Sequence, residues 1–123
     1  AALFDWLDKA ATPFALATSS GRGWVDKHFR AHDLARRFRG VVTREDVTNG
    51  KPHPEPYLKA STMLGHLPVD VLAIEDSPIG VASAHAAGLM TIVIPDLIQP
   101  DDETRGRVIH VGRSLEDVLG LLD

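Results

Sequence analysis

Hydrophobic positions change their period several times along the chain, and those changes predict its elements. Leu3, Phe4, Leu7, Ala10 and Ala11 recur at helical spacing before Pro13, which predicts an amphipathic helix ending near Ala11. The short apolar run Phe14 to Ala17 has strand character and stops in the loop-forming residues Thr18, Ser19, Ser20 and Gly21. Val25, Phe29, Leu34 and Phe38 mark a second helix over 25–38, closed by Gly40, with Val41-Val42-Thr43 as the next strand. Pro52, Pro54 and Pro56 bar a strand and suit a first helical turn, so Asn49 to Pro56 is expected to be a loop leading into a helix over 57–64. Val71 to Ile74 is apolar without alternation, as in a parallel strand buried on both faces. Ser77-Pro78 supplies an N-cap and a first-turn proline for a helix over 79–87, and Gly88 stops it. Thr91 to Ile94 and Val108 to Val111 read as further strands, Asp96 to Arg107 as a mobile polar loop, and Leu115 to Leu122 as a closing helix. Strands alternating with helices predict an α/β domain with a mainly parallel sheet and flanking helices.

Composition narrows the partners more than the fold. With 123 residues the chain has enough apolar positions for one core and too little length for two. A formal net charge of -4, with the basic cluster Arg36, Arg37 and Arg39 set among acidic and apolar neighbours, argues against nucleic acid. The most apolar stretch, Val69 to Pro95, is interrupted by Glu75 and Asp76, so no membrane span is expected. The absence of cysteine excludes disulfides and thiolate metal sites, and the chain reads as soluble and cytoplasmic. It opens on Ala1 without Met, which points to processing or to a piece of a longer protein.

Candidate chemistry gathers after the strands, where ligands bind in open parallel sheets because loops and helix N-termini converge there with free N–H groups. Glu75 and Asp76 are adjacent carboxylates at a strand tip. Two such charges about 4 Å apart repel by roughly 4 kcal/mol at an effective dielectric of 20, so a cation such as magnesium is a natural partner. The alternative is that one acid caps the following helix while the other is solvated. Lys51, between a glycine and a proline, is placed to reach a phosphate as a mobile point charge, although a lone lysine of this kind is usually an ordinary surface residue. Thr18 and Ser19 offer hydroxyl and N–H donors to phosphate oxygens, as would many strand-to-helix turns.

Taken together, Phe14-Ala-Leu-Ala-Thr18-Ser-Ser, Gly50-Lys51-Pro-His-Pro-Glu-Pro-Tyr57, and Val71-Leu-Ala-Ile-Glu75-Asp76-Ser77-Pro-Ile-Gly80 with Ala86-Ala-Gly88-Leu-Met90 resemble the haloacid dehalogenase superfamily, specifically its β-phosphoglucomutase-like branch. The resemblance runs from about Leu3 to Val111 and implies a Rossmann-like core. It also implies that Thr18 binds the transferring phosphoryl group, that Lys51 neutralises it, and that Glu75 and Asp76 hold Mg2+, with Asp76 the more direct ligand and Ser77 supporting. The implied substrate is a small phosphorylated metabolite such as a sugar phosphate.

That family starts its reaction with Asp-x-Asp on a first strand, the leading aspartate forming an aspartyl-phosphate. No Asp-x-Asp occurs in this chain, and neither does the helical cap that selects substrate in this branch. Asp5, in Leu3-Phe4-Asp5-Trp6, belongs by position to the helix before the Thr18 motif and is not a nucleophile. The chain is therefore expected to be the carboxyl-terminal part of a core whose central strand, between the strands ending at Thr18 and Glu75, is missing. In isolation it is expected to be inactive and open to self-association through the gap. A non-catalytic phosphate- or metal-binding module is the rival reading. A receiver-like or nucleotide-binding domain leaves the Lys51 motif unexplained. His28 and His32 have zinc-like spacing without a third ligand and read as a solvated face, His53 and His85 as residues without a chemical role, and Trp6 and Trp24 as core or cap-facing packing.

Overall fold

The computed structural model describes residues 2–32, 37–95 and 99–114 of the chain, with the side chains of residues 2–4 and 32 left aside. The elements run α1 (Ala2–Lys9), β1 (Ala15–Ala17), α2 (Arg22–His32), β2 (Gly40–Val42), α3 (Glu55–Leu64), β3 (Leu72–Glu75), α4 (Pro78–Ala86), β4 (Met90–Val93), α5 (Asp102–Arg105) and β5 (His110–Val111). Among the described residues all strand pairing is parallel. β1 pairs with β2 in one sheet, and β3, β4 and β5 lie in that order in a second. This is the expected α/β architecture of parallel strands joined by helical crossovers. Among the described residues no ladder joins β1 to β3, and the break falls between the strands leading to Thr18 and Glu75.

Apolar side chains from both parts close over the break. Tyr57 of α3 joins Ala73 of β3, Ala84 and Ala87 around α4, and Leu89 in one buried cluster, against which Ala17 of β1 packs. Val81 of α4 and the successive β4 residues Ile92 and Val93 are all buried. Helix α4 begins as its sequence predicts, with Ser77 Oγ accepting the Gly80 N–H at 3.1 Å and Pro78 in the first turn.

Several boundaries differ from the pattern reading. Helix α2 starts at Arg22, and Phe38 lies outside it, its ring edge-on to Phe14 at 5.0 Å and stacked on Phe29 at 5.1 Å. Gly40 does not close that helix but opens β2, where its missing side chain admits Met63 of α3, whose Sδ would stand 2.6 Å from a Cβ. The acids Asp101, Asp102 and Glu103 are not merely a hydrated loop: Asp101 caps α5 by accepting the Thr104 N–H at 2.8 Å. Trp24 is 53% exposed and stacks on His28 rather than packing in the core. Asp5 and Asp8 both ion-pair with Arg37, at 2.9 and 2.7 Å, which gives Asp5 a structural role. Leu34, Arg36, Asp96 and the expected helix from Leu115 to Leu122 lie outside the described residues.

Candidate active site

The carboxyl ends of β1 and β3 carry the residues singled out from the sequence, and the Lys51 loop bridges them. That loop is braced twice. The Glu55 carboxylate accepts the N–H groups of Thr48 at 3.0 Å and Asn49 at 2.9 Å, which hold it below the ordinary carboxylate range. On the other side Ser83 of α4, fully buried, donates to the His53 carbonyl at 2.6 Å. The His53 ring also acts locally, since its Nδ1 accepts the Glu55 N–H at 3.1 Å at the start of α3.

With the backbone so placed, the Lys51 side chain turns inward. Its ammonium donates to the Ala17 carbonyl of β1 at 3.0 Å and to Glu75 Oε2 of β3 at 2.6 Å. The side chain is only 12% exposed, so Lys51 is a pinned charge and not the mobile one its neighbours suggested. At an effective dielectric of about 20 a contact of 2.6 Å represents an attraction on the order of 6 kcal/mol. Loss of hydration offsets much of this, so the pair contributes placement more than net stability.

Glu75 belongs to the strand, one residue later than the apolar run indicates, and is 8% exposed. Besides Lys51, its Oε2 accepts the Tyr57 hydroxyl. Burial, and then the adjacent Glu75 charge, push the Tyr57 phenol far above its ordinary range, so it stays protonated and acts as a donor. The carboxylate lies flat against the first turn of α4 over Gly80, where a Cβ would overlap it. A negative group at that end of a helix is also favoured by the helix dipole.

The two adjacent acids are thus separated in role. Glu75 is the counter-ion of Lys51, whereas Asp76, just past the strand, is exposed and makes no hydrogen bond or ion pair among the described residues. Among those residues no three acidic or histidine side chains gather as a metal-holding group. A magnesium ion prefers one or two carboxylates completed by water and phosphate oxygens, so Asp76 fits as one ligand and does not make a site alone.

On the β1 side, the Thr18 N–H continues the ladder to the Val42 carbonyl at 2.9 Å, and Thr18 Oγ1 accepts the Ser20 N–H at 3.1 Å. This turn directs Ser19 to solvent and leaves the Thr18 hydroxyl proton available to an acceptor. Beside it, Asp46 Oδ2 accepts from the Thr43 N–H at 2.7 Å and hydroxyl at 2.8 Å and pairs with Arg22 at 2.8 Å, tying the start of α2 to the end of β2. Thr18, Lys51, Glu75 and Asp76 therefore converge, with Ser77 behind them as helix cap. Sequence patterns do not single out Tyr57 and Gly80 as site residues. Both stand inside the motifs around Lys51 and Glu75, but nothing in their spacing says that they touch Glu75.

A family model described as haloacid dehalogenase-like hydrolase matches residues 1–94. The chain is 42% identical over 89 residues to glycerol-1-phosphate phosphohydrolase 2 of Saccharomyces cerevisiae, a match covering 66% of this chain and 35% of that protein. It is 36% identical over 93 residues to hexitol phosphatase A of Escherichia coli, covering 76% of this chain and 43% of the relative. In structure it is similar to CbbY from Rhodobacter sphaeroides solved in complex with phosphate, with a TM-score of 0.85 and 27% identity over 95% of this chain and 53% of that one. The chain thus spans less than half the length of these two curated relatives.

Proposed function

The chain belongs to the haloacid dehalogenase-like hydrolases, in their β-phosphoglucomutase-like branch, and we propose that it supplies the phosphate-binding part of an enzyme acting on a small phosphorylated polyol or sugar. The observation that carries this reading is the Lys51 ammonium, held between Ala17 and Glu75 where strand ends converge, with a third N–H left over. The substrate class is supported by the names of the relatives, which act on a glycerol phosphate and on hexitol phosphates.

In this reading Lys51 and the Thr18 hydroxyl donate to the phosphoryl oxygens and offset their charge, Ser19 adds a backbone N–H, and Asp76 would hold Mg2+. The ion would neutralise phosphoryl charge when bound. Because Lys51 is pinned before substrate arrives, its own reorganisation during the transfer is small. The attacking aspartate and the cap are assigned to a segment outside this chain, which would be the carboxyl-terminal part of the core domain. A non-catalytic phosphate-binding module is the second reading, favoured by one observation: the chain carries no Asp-x-Asp.

The test is hydrolysis of glycerol and hexitol phosphates by the full gene product with magnesium, before and after Lys51→Met. Loss of one pinned donor should lower kcat by about 100-fold or more. Undiminished turnover in the variant would remove Lys51 from the chemistry. No turnover by the unaltered gene product, with phosphate still bound, would favour the binding module. Magnesium-dependent turnover by the isolated 123-residue chain would contradict the placement of the nucleophile outside it.

A further inference from the structure

We propose that Tyr57 is a positioning residue for Lys51, its hydroxyl setting where the ammonium stands and hence which proton is left for a phosphoryl oxygen. This role rests on the phosphate-site reading of Lys51. An ammonium has three donors, and Lys51 commits one to the Ala17 carbonyl at 3.0 Å and one to Glu75 Oε2 at 2.6 Å. Oε2 in turn receives both Lys51 and the Tyr57 hydroxyl, which fills its lone pairs. Without that hydroxyl Oε2 would hold a vacant acceptor position in a place only 8% exposed. An unfilled buried acceptor is costly, and with the hydroxyl gone the Lys51 ammonium alone would balance the charge on Oε2. The ammonium would then be drawn toward Glu75 and away from the Ala17 carbonyl.

Tyr57 is suited to this role because it cannot drift. Its ring is packed among Ala73, Ala84, Ala87 and Leu89, and its face lies 5.1 Å from Lys51 Nζ. Phenylalanine would keep the core contact and the ring face and lose the hydroxyl alone, which separates positioning from packing.

The experiment uses the full gene product as wild type, Tyr57→Phe, Lys51→Met and the double variant, with inorganic phosphate titrated by calorimetry. Tyr57→Phe is expected to weaken phosphate binding about fivefold to tenfold, the worth of one hydrogen bond. In the Lys51→Met background the same change should alter it by under about twofold, because the two residues act in series. Unaltered binding in Tyr57→Phe, or an equal loss in both backgrounds, overturns the proposal. A second readout does not depend on phosphate: the Lys51 ammonium signal in proton–nitrogen NMR should shift or broaden in Tyr57→Phe. If the wild type binds no phosphate, the phosphate-site reading falls by itself, and an unmoved ammonium signal would still sink the hold of Tyr57 on Lys51. A Tyr57 that only packs would lower the thermal midpoint and leave that signal in place, which also overturns the proposal.

Discussion

Replacing Gly80 by alanine should destabilise the protein, although the same change in most helices does the opposite. Alanine in a helix interior is favoured over glycine by roughly 1 kcal/mol. At Gly80, however, an added Cβ would lie within the contact distance of the Glu75 carboxyl group, with the farthest of its atoms, Oε2, at 2.5 Å. Glu75 would have to swing off α4, and its Oε2 is the shared partner of Lys51 and Tyr57. Breaking a buried ion pair costs about 3–5 kcal/mol, so after the helical gain the net loss should be roughly 2–4 kcal/mol. For a domain of this size that is a fall in melting temperature of about 10 °C. Thermal and urea unfolding followed by circular dichroism would measure it, with two other glycines as internal standards. Gly23→Ala, in α2 with nothing within 4 Å of the new Cβ, should gain up to about 1 kcal/mol. Gly40→Ala, which meets the flexible Met63 side chain at Sδ, should lose roughly 1 kcal/mol. A Gly80→Ala variant as stable as wild type, or ranked with Gly23→Ala, would refute the placement of Glu75 against α4.

Two further outcomes follow from the loop that carries Lys51. Ser83→Ala removes the buried bond to the His53 carbonyl and should cost about 1–3 kcal/mol in urea unfolding while weakening phosphate binding through Lys51; a change confined to stability would separate the loop brace from the site. Glu55 has a folded-state pKa below its ordinary value, so its contribution is fully present above that ordinary value and is lost as pH falls through the lower, folded one. Stability should therefore decline from about pH 5 downward, and Glu55→Gln should make that decline shallower. An identical acid profile in the variant would remove Glu55 from the brace.

Much of this arrangement can be read along the chain, because its causes are local. Ser77-Pro78 starts α4 and Gly88 follows its end, since capping needs only a hydroxyl and a fixed φ within a few residues. The strands announce themselves by short apolar runs, although β3 is buried only at alternate residues and not on both faces as its unbroken run suggests, and the prolines around Lys51 exclude a strand there by removing N–H donors. The convergence of Thr18, Lys51 and the two acids follows as well, because parallel strands joined by helices bring successive strand ends to one edge.

What only the tertiary structure decides is how neighbouring side chains divide the work. Adjacent in sequence, Glu75 and Asp76 are chemically alike, yet the strand's alternation turns Glu75 into the interior while Asp76, just past the strand, is left in solvent. Whether that buried carboxylate binds a metal or a lysine depends on Lys51 and Tyr57 arriving from 24 and 18 residues away, and on a glycine at position 80 leaving room for it. Sequence patterns report a residue's period and its immediate neighbours. Contacts across such separations are set by packing, and it is packing that makes Lys51 a fixed charge with one proton to offer.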